Sequence, residues 1–327
     1  MKCTAIANSN IALIKYWGKA NDRLFLPTNS SLSMTLGGLN SHTTVDFSAD
    51  YEEDTVNIDG KNMDGEKREK VVRHLNLIRS IANSKLNAKV VSRNNFPSAA
   101  GMASSASGFA ALTVAACASL GMNLDKKQVS ILSRQGSGSS CRSIYGGYVE
   151  WIKGKQNEDS YALQLADENY FDIRDIIAIV EQEEKKVSSR AGMTETIKTC
   201  PLYSSRVNAA EENLIKIKKA IKEKNFGEIG KISEFDCLLM HATMLTTLPS
   251  LIYWSPETIR IIKTVQSWRE ESLEAYFTID AGPNVHILSL PENVKEIEGR
   301  LRELEGVRNI MSCKIGGDAK ITEEHLF

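Results

Sequence analysis

The chain has 327 residues, enough for two domains or one large one with a substantial core. Its 40 Lys and Arg against 41 Asp and Glu leave a net charge of −1, so no global field draws it to nucleic acid or a membrane and any anion site must be a local cluster. The 6 cysteines contain no C-x-x-C pair, which argues against a zinc site or a disulfide framework and fits a reducing cytoplasm.

In chain order, Met1-Lys2-Cys3-Thr4 leads into a short apolar stretch broken by Asn8, Ser9 and Asn10, without the length or cleavage pattern of a signal peptide. Strands are expected over 43–47 and 55–58, with Asp59-Gly60 as a hairpin turn. Over 66–83, Val71, Leu75, Ile78 and Ala82 share one helical face, and Lys and Arg fill the other. A strand over 89–92 leads to the Pro97 loop. The next helix runs over about 104–120, ended by Gly121, with Cys117 as a small core residue. Ser107, Gly108, Thr113 and Ser119 interrupt its apolar run, so it is no membrane span. Asp125 caps a helix reaching Arg134.

Strands over 145–152 and 173–180 flank an irregular stretch. The second half reads as helices over 209–224, 226–244, 256–271 and 292–304, the third started by Ser255-Pro256. Strands over 276–279, 285–290 and 309–314 lie between them, and Gly316-Gly317-Asp318 ends the last in a turn. Interspersed strands and helices imply an α+β arrangement, with a boundary in the charged run 181–186.

The most informative segment is 96–108, Phe-Pro-Ser-Ala-Ala-Gly-Met-Ala-Ser-Ser-Ala-Ser-Gly, opening into an alanine-rich helix. Gly101 and its small neighbours let backbone approach a ligand, and a helix N-terminus suits a phosphate. Ser104, Ser105 and Ser107 add hydroxyls for phosphate oxygens or hydrated Mg²⁺. Taken alone, such a turn is an ordinary capped helix. Asp280-Ala281-Gly282-Pro283-Asn284 puts a carboxylate at a strand end before a Gly-Pro turn, a place for a catalytic base or for a plain turn former.

Arg142, in the Gly/Ser-rich run 134–143, can grip a carboxylate or phosphate with two parallel hydrogen bonds, and Ser137 and Ser139 add hydroxyls. The segment 185–193 is basic and serine-bearing; a solvated charge run is the default for it. Lys15 and Lys19 sit among apolar and aromatic neighbours, where a desolvated lysine interacts strongly with an anion, although each alone can be a snorkelling surface residue. The hydroxyl-rich 25–33 is suited to line a pocket. The 5 histidines lack metal-ligand spacing, and His241 reads as a hydrogen-bonded helix residue lining the cleft or core.

In this order, KYWGK (15–19), PSAAGMASSAS (97–107), GSGSSCRS (136–143), SSRAGM (188–193) and FTIDAGPN (277–284) closely resemble the mevalonate diphosphate decarboxylases. These belong to the superfamily of galactokinase, homoserine kinase, mevalonate kinase and phosphomevalonate kinase. The resemblance implies an N-terminal ribosomal-protein-S5-like domain, 1–183, and a C-terminal ferredoxin-like domain, 184–327, with the active site between them. It implies ATP- and Mg²⁺-dependent conversion of mevalonate 5-diphosphate into isopentenyl diphosphate, CO₂, ADP and phosphate, by a cytoplasmic homodimer.

By the same resemblance, Pro97, Ala100, Gly101, Ala103, Ser104, Ser105 and Ser107 cradle ATP, with Ser105 and Ser107 toward Mg²⁺. Asp280 matches the catalytic aspartate and Arg142 the arginine that holds the substrate carboxylate. Lys15 and Asn10 match residues near Asp280 and the reacting hydroxyl. Tyr16, Lys19, Ser137, Ser139, Ser189 and Arg190 match residues around the substrate phosphates, with Met193 beside them. The competing readings are a decarboxylase of mevalonate 5-phosphate, an ATP-independent one of the 3,5-bisphosphate, and a non-catalytic phosphate-ligand binding protein.

Overall fold

The computed structural model describes residues 1–96, 104–181 and 187–327. Strand β1 (Lys2–Ile14) is followed by the small hairpin β2 (Lys19–Asn21) and β3 (Leu26–Pro27), then by the long β4 (Ser31–Ser48). β4 is the spine of the molecule. Along its length it pairs β1, and it meets in turn β8 (Tyr148–Trp151), β13 (Asn309–Ile315) and β7 (Asn87–Asn94). β1 contains the predicted interruption at Asn8, Ser9 and Asn10: the ladder shifts register between Asn8 and Ser9 instead of ending. A bulge of this kind bends the strand and re-aims side chains, so polar residues persist inside a buried strand.

The expected turn at Asp59-Gly60 joins β5 (Thr55–Ile58) to β6 (Lys61–Asn62), both turn residues having positive φ as such hairpins require. α1 (Gly65–Ala82) buries Val71, Leu75 and Ile78 against the sheet. α2 (Ser104–Ser119) presents Ala106, Ala110, Ala111, Ala115 and Ala116 inward; its small side chains permit a close approach to the β1–β4 ladder. Cys117 is buried in the same core. α3 (Lys126–Gly136) begins at Asp125 with a reciprocal capping box to Gln128. A 3₁₀ turn over Gly138–Ile144 then precedes β8, so the strand expected from 145 starts later; β9 (Ala162–Ala166) pairs β8 in the stretch expected to be irregular.

β10 (Arg174–Ile179) lies between β12 (Val285–Ser289) and β13, with β11 (Ala275–Thr278) on the edge beyond β12. Against this second antiparallel sheet pack α5 (Tyr203–Lys222), α6 (Phe226–Leu245), α7 (Pro256–Glu270) and α8 (Val294–Arg302). Of the basic segment 185–193, Ser189 to Met193 open a helix, α4 (Ser189–Thr199), capped by Ser188, while Lys185 and Lys186 lie outside the described residues. After Gly316-Gly317-Asp318 the chain forms one more strand, β14 (Lys320–Thr322), which returns onto β1.

The two sheets join where β13 meets β4 at Leu36 and Gly37. A Cβ on Gly316 would lie 2.8 Å from the Gly37 Cα, so the join requires glycine on both segments. The result is an α+β architecture in which β1 runs from the N-terminal sheet to the boundary with α5 and α6. Its end is where the candidate site lies.

Candidate active site

Two strand ends meet at the cleft. Lys15 follows β1, and Asp280 follows β11 by two residues. Lys15 Nζ donates to Asp280 Oδ1 at 2.7 Å; the lysine side chain is 1% exposed and the aspartate 31%, so the cation is enclosed and the carboxylate faces open space. Burial alone would raise the Asp280 carboxyl. The Lys15 charge and hydrogen bond, then His286 and Arg142, outweigh it and hold the group below its ordinary value.

Arg142, on the 3₁₀ turn, is fully buried. It donates to Ser31 Oγ at 2.7 Å and Asn10 Oδ1 at 3.2 Å, and its Nε has no partner. Burial lowers its pKa, and Asp280 and Tyr16 are among the groups whose charge acts on it. Asn10 is itself oriented by Ser143 Oγ at 2.7 Å and the Ser139 carbonyl at 3.3 Å, so the bulged strand and the 3₁₀ turn fix the guanidinium together. Ser31 lies in the hydroxyl-rich stretch singled out above.

Tyr16 packs edge-on against Trp151, ring centroids 4.7 Å apart, and its hydroxyl is buried without a partner. Burial pushes that hydroxyl well above the usual tyrosine value, so it stays protonated and can donate. Arg190, in the first turn of α4, and Lys19 both lie over the Phe25 ring, at 5.0 and 4.8 Å from its centroid. Lys19 Nζ also contacts Asp22 at 2.8 Å. Ser189 is the first residue of α4, and Met193 is buried with Trp17, Met240 and Leu251 beneath it. A cavity lined by Lys19, Met193 and Thr194 adjoins this group.

At the other side, Ser137 Oγ is 3.3 Å from Ser105 Oγ, which ties the start of α2 to the 3₁₀ turn carrying Arg142. Ser105 is exposed and Ser104 half-buried. Ser107, expected among the phosphate and Mg²⁺ residues, is fully buried with its hydroxyl 2.8 Å from Ser41 Oγ on β4. It anchors α2 to the sheet. Pro97, Ala100, Gly101 and Ala103 lie outside the described residues.

Sequence reasoning missed the supports behind the ion pair. Asp236 and Arg206 hold the Lys15 backbone, and the Asn29 side chain reaches the same carbonyl. The available signal was Asp236 itself, a carboxylate within the apolar run Phe235–Met240, where burial demands partners. His241 is buried on α6 and lies 3.3 Å from the Ile279 carbonyl, as expected of a hydrogen-bonded residue at the cleft.

The fold and cleft define a two-domain, GHMP-kinase-like protein in which Lys15 contacts one open carboxylate and the Arg142 charge acts on it. Family models for a diphosphomevalonate decarboxylase-like N-terminal domain and a mevalonate 5-diphosphate decarboxylase C-terminal domain match residues 7–162 and 175–323. The diphosphomevalonate decarboxylase of Saccharomyces cerevisiae is 36% identical, over 97% of this chain and 83% of its own. A structure of MDDEF in complex with MVAPP, AMPPCP and magnesium is 40% identical, with TM-score 0.94 and 99% of both chains covered. The mevalonate diphosphate decarboxylase from Staphylococcus aureus is 38% identical, with TM-score 0.94 and 98% of both chains covered. The chain belongs to the diphosphomevalonate decarboxylase family.

Proposed function

We propose that the protein is an enzyme that decarboxylates mevalonate 5-diphosphate at the expense of ATP, giving isopentenyl diphosphate, ADP, phosphate and CO₂. The observation that carries this reading is the buried Lys15–Asp280 pair beside an arginine that has no carboxylate partner among the described residues. The substrate's tertiary hydroxyl is a poor leaving group. Asp280, kept ionised by Lys15, takes the hydroxyl proton as the oxygen attacks the γ-phosphoryl group of ATP. Loss of the new phosphate develops positive charge at C3, and the C–CO₂⁻ bond supplies the electrons that form the double bond. Arg142 holds the departing carboxylate without giving it a proton, because guanidinium does not deprotonate.

Tyr16, Lys19, Ser137, Ser139, Ser189 and Arg190, with Met193 beside them, are assigned to the substrate phosphates, and Ser104 and Ser105 to the nucleotide phosphates. Among the described residues no cluster of His, Cys, Asp or Glu could itself hold a metal, which fits an ion carried by phosphate oxygens and water. Ser105, with its exposed hydroxyl, is the protein group suited to hold Mg²⁺, which when bound offsets phosphate charge. Among the described residues no helix is long and apolar enough to cross a membrane. A cytoplasmic homodimer is the assembly we assign, supported by the six free cysteines for the compartment and by the family resemblance for the dimer.

The test offers the purified protein mevalonate 5-phosphate, 5-diphosphate and 3,5-bisphosphate, each with and without Mg-ATP. Equal release of CO₂ and ADP from the 5-diphosphate alone is expected. Release of CO₂ without ATP, or from another substrate in preference, overturns the assignment.

A further inference from the structure

Lys15 and Asp280 both lie past the ends of their strands, where the sheet ladder no longer supplies partners for the backbone. α6 supplies them instead. Asp236 Oδ2 accepts the Lys15 N–H at 2.6 Å. Cys237, the next residue, takes the Ile279 N–H on its Sγ at 3.1 Å. His241, one turn further, places Nε2 3.3 Å from the Ile279 carbonyl, the bond immediately before Asp280. All three α6 side chains are buried. Arg206 and Asn29 complete the hold on Lys15, donating to its carbonyl at 2.6 and 3.0 Å.

Burial pushes the His241 imidazole down to about 3, so the ring is neutral at working pH. A carbonyl only accepts, so the tautomer carries its proton on Nε2 and donates to Ile279. The ring lies 4.4 Å from Trp254 at an interplanar angle of 30°, which limits its rotation. The helix behind this face is rigidly packed, since Met240 and Met244 on the same turns are buried against Trp17 and Ala281.

We propose that α6 is the jig of the active site, with His241 and Cys237 as positioning residues that fix Asp280 while Asp236 on the same helix fixes Lys15. One rigid element then sets the ammonium–carboxylate separation. The inference rests on the reading of Asp280 as the base. The charged and titratable groups facing Asp280 are Lys15 beyond β1, Arg142 on the 3₁₀ turn, His286 on β12, and Cys237 and His241 on α6. His286 is separately bonded to Asp175 at 2.7 Å.

The experiment compares His241→Phe with His241→Gln, whose amide N–H can reach the same carbonyl. Steady-state rates with mevalonate 5-diphosphate and Mg-ATP are followed across pH, alongside thermal unfolding. His241→Phe should lower kcat about 10- to 100-fold per folded molecule with KM changed less than about twofold, as small misplacements of a reacting group do. Its acid limb should move upward, because a loosened Lys15 contact releases the Asp280 carboxyl toward its ordinary value, and His241→Gln should restore both readouts.

If His241→Phe does not fold, Cys237→Ala against Cys237→Ser supplies the same comparison with a smaller effect. Wild-type kcat and an unmoved acid limb in the folded Phe or Ala variant overturn the inference. So does a loss that tracks the unfolded fraction alone. Absence of CO₂ release from the unmodified protein would instead sink the functional reading beneath it.

Discussion

Two buried ion pairs in this molecule have opposite designs. Arg79, in the last turn of α1, and Asp54 form a double contact at 2.7 and 2.7 Å. Arg79 also donates to the Leu86 carbonyl and to Asn76, and Asp54 accepts the Ala88 N–H. Each charge is matched and little of either side chain is exposed. At the cleft, Lys15 is as deeply buried, but its partner Asp280 keeps an open side, and nearby Arg142 has only neutral oxygens for company. A guanidinium buried with no carboxylate bonded to it costs stability, and a bound anion would offset that cost. A closed pair builds the fold, and an open set builds a site.

The largest test of that contrast is Asp280→Asn, which should cut turnover about 10²- to 10⁴-fold with nucleotide and substrate affinities nearly retained. Turnover near the parent level removes Asp280 from the chemistry. The wild-type pH profile sharpens the point. A base whose carboxyl is held below its ordinary value of 3.8 stays ionised as acid is added, so activity persists to about that pH and is lost only as pH falls through the depressed value.

Arg79→Met is the counterpart at the closed pair. It strands Asp54 and should cost about 3–5 kcal/mol in denaturant unfolding while leaving kcat per folded molecule unchanged. Arg142→Lys keeps the charge and loses the fork, so kcat/KM should fall roughly 10- to 100-fold with little change in stability, the value of a charged hydrogen bond. A purely structural Arg142 would show the reverse pattern. Phe25→Ala, which removes the ring under Lys19 and Arg190, should raise the substrate KM only about 2- to 5-fold.

Much of the fold was legible because local chemistry and tertiary outcome agree. The α1 stripe, the Asp125 cap, the Ser255-Pro256 start and the Asp59-Gly60 turn each have a short-range cause. β1 was not legible over 2–14, because a strand buried on both faces shows no alternation and its polar Asn8, Ser9 and Asn10 look like a break. Those residues stay in the strand through partners far along the chain, such as Ser143 for Asn10 and Gly317 for Asn8. α4 was hidden for a related reason: its first turn, Ser189 to Gly192, buries only Gly192 and so shows no apolar stripe.

The motifs identified the family and named the side chains of the candidate site, since a carboxylate after a strand, a lone arginine among serines and paired lysines carry their chemistry wherever they stand. Which hydroxyl faces the cleft, and what holds Lys15 against Asp280, came only from tertiary structure. Ser105 and Ser107 are equivalent as letters, yet one is exposed and the other is locked to Ser41. Asp236, Cys237 and His241 act at Lys15 and Ile279 across separations that no local pattern encodes. A sequence specifies donors and acceptors, whereas their pairing is settled by which backbone groups the sheet leaves unsatisfied at its ends.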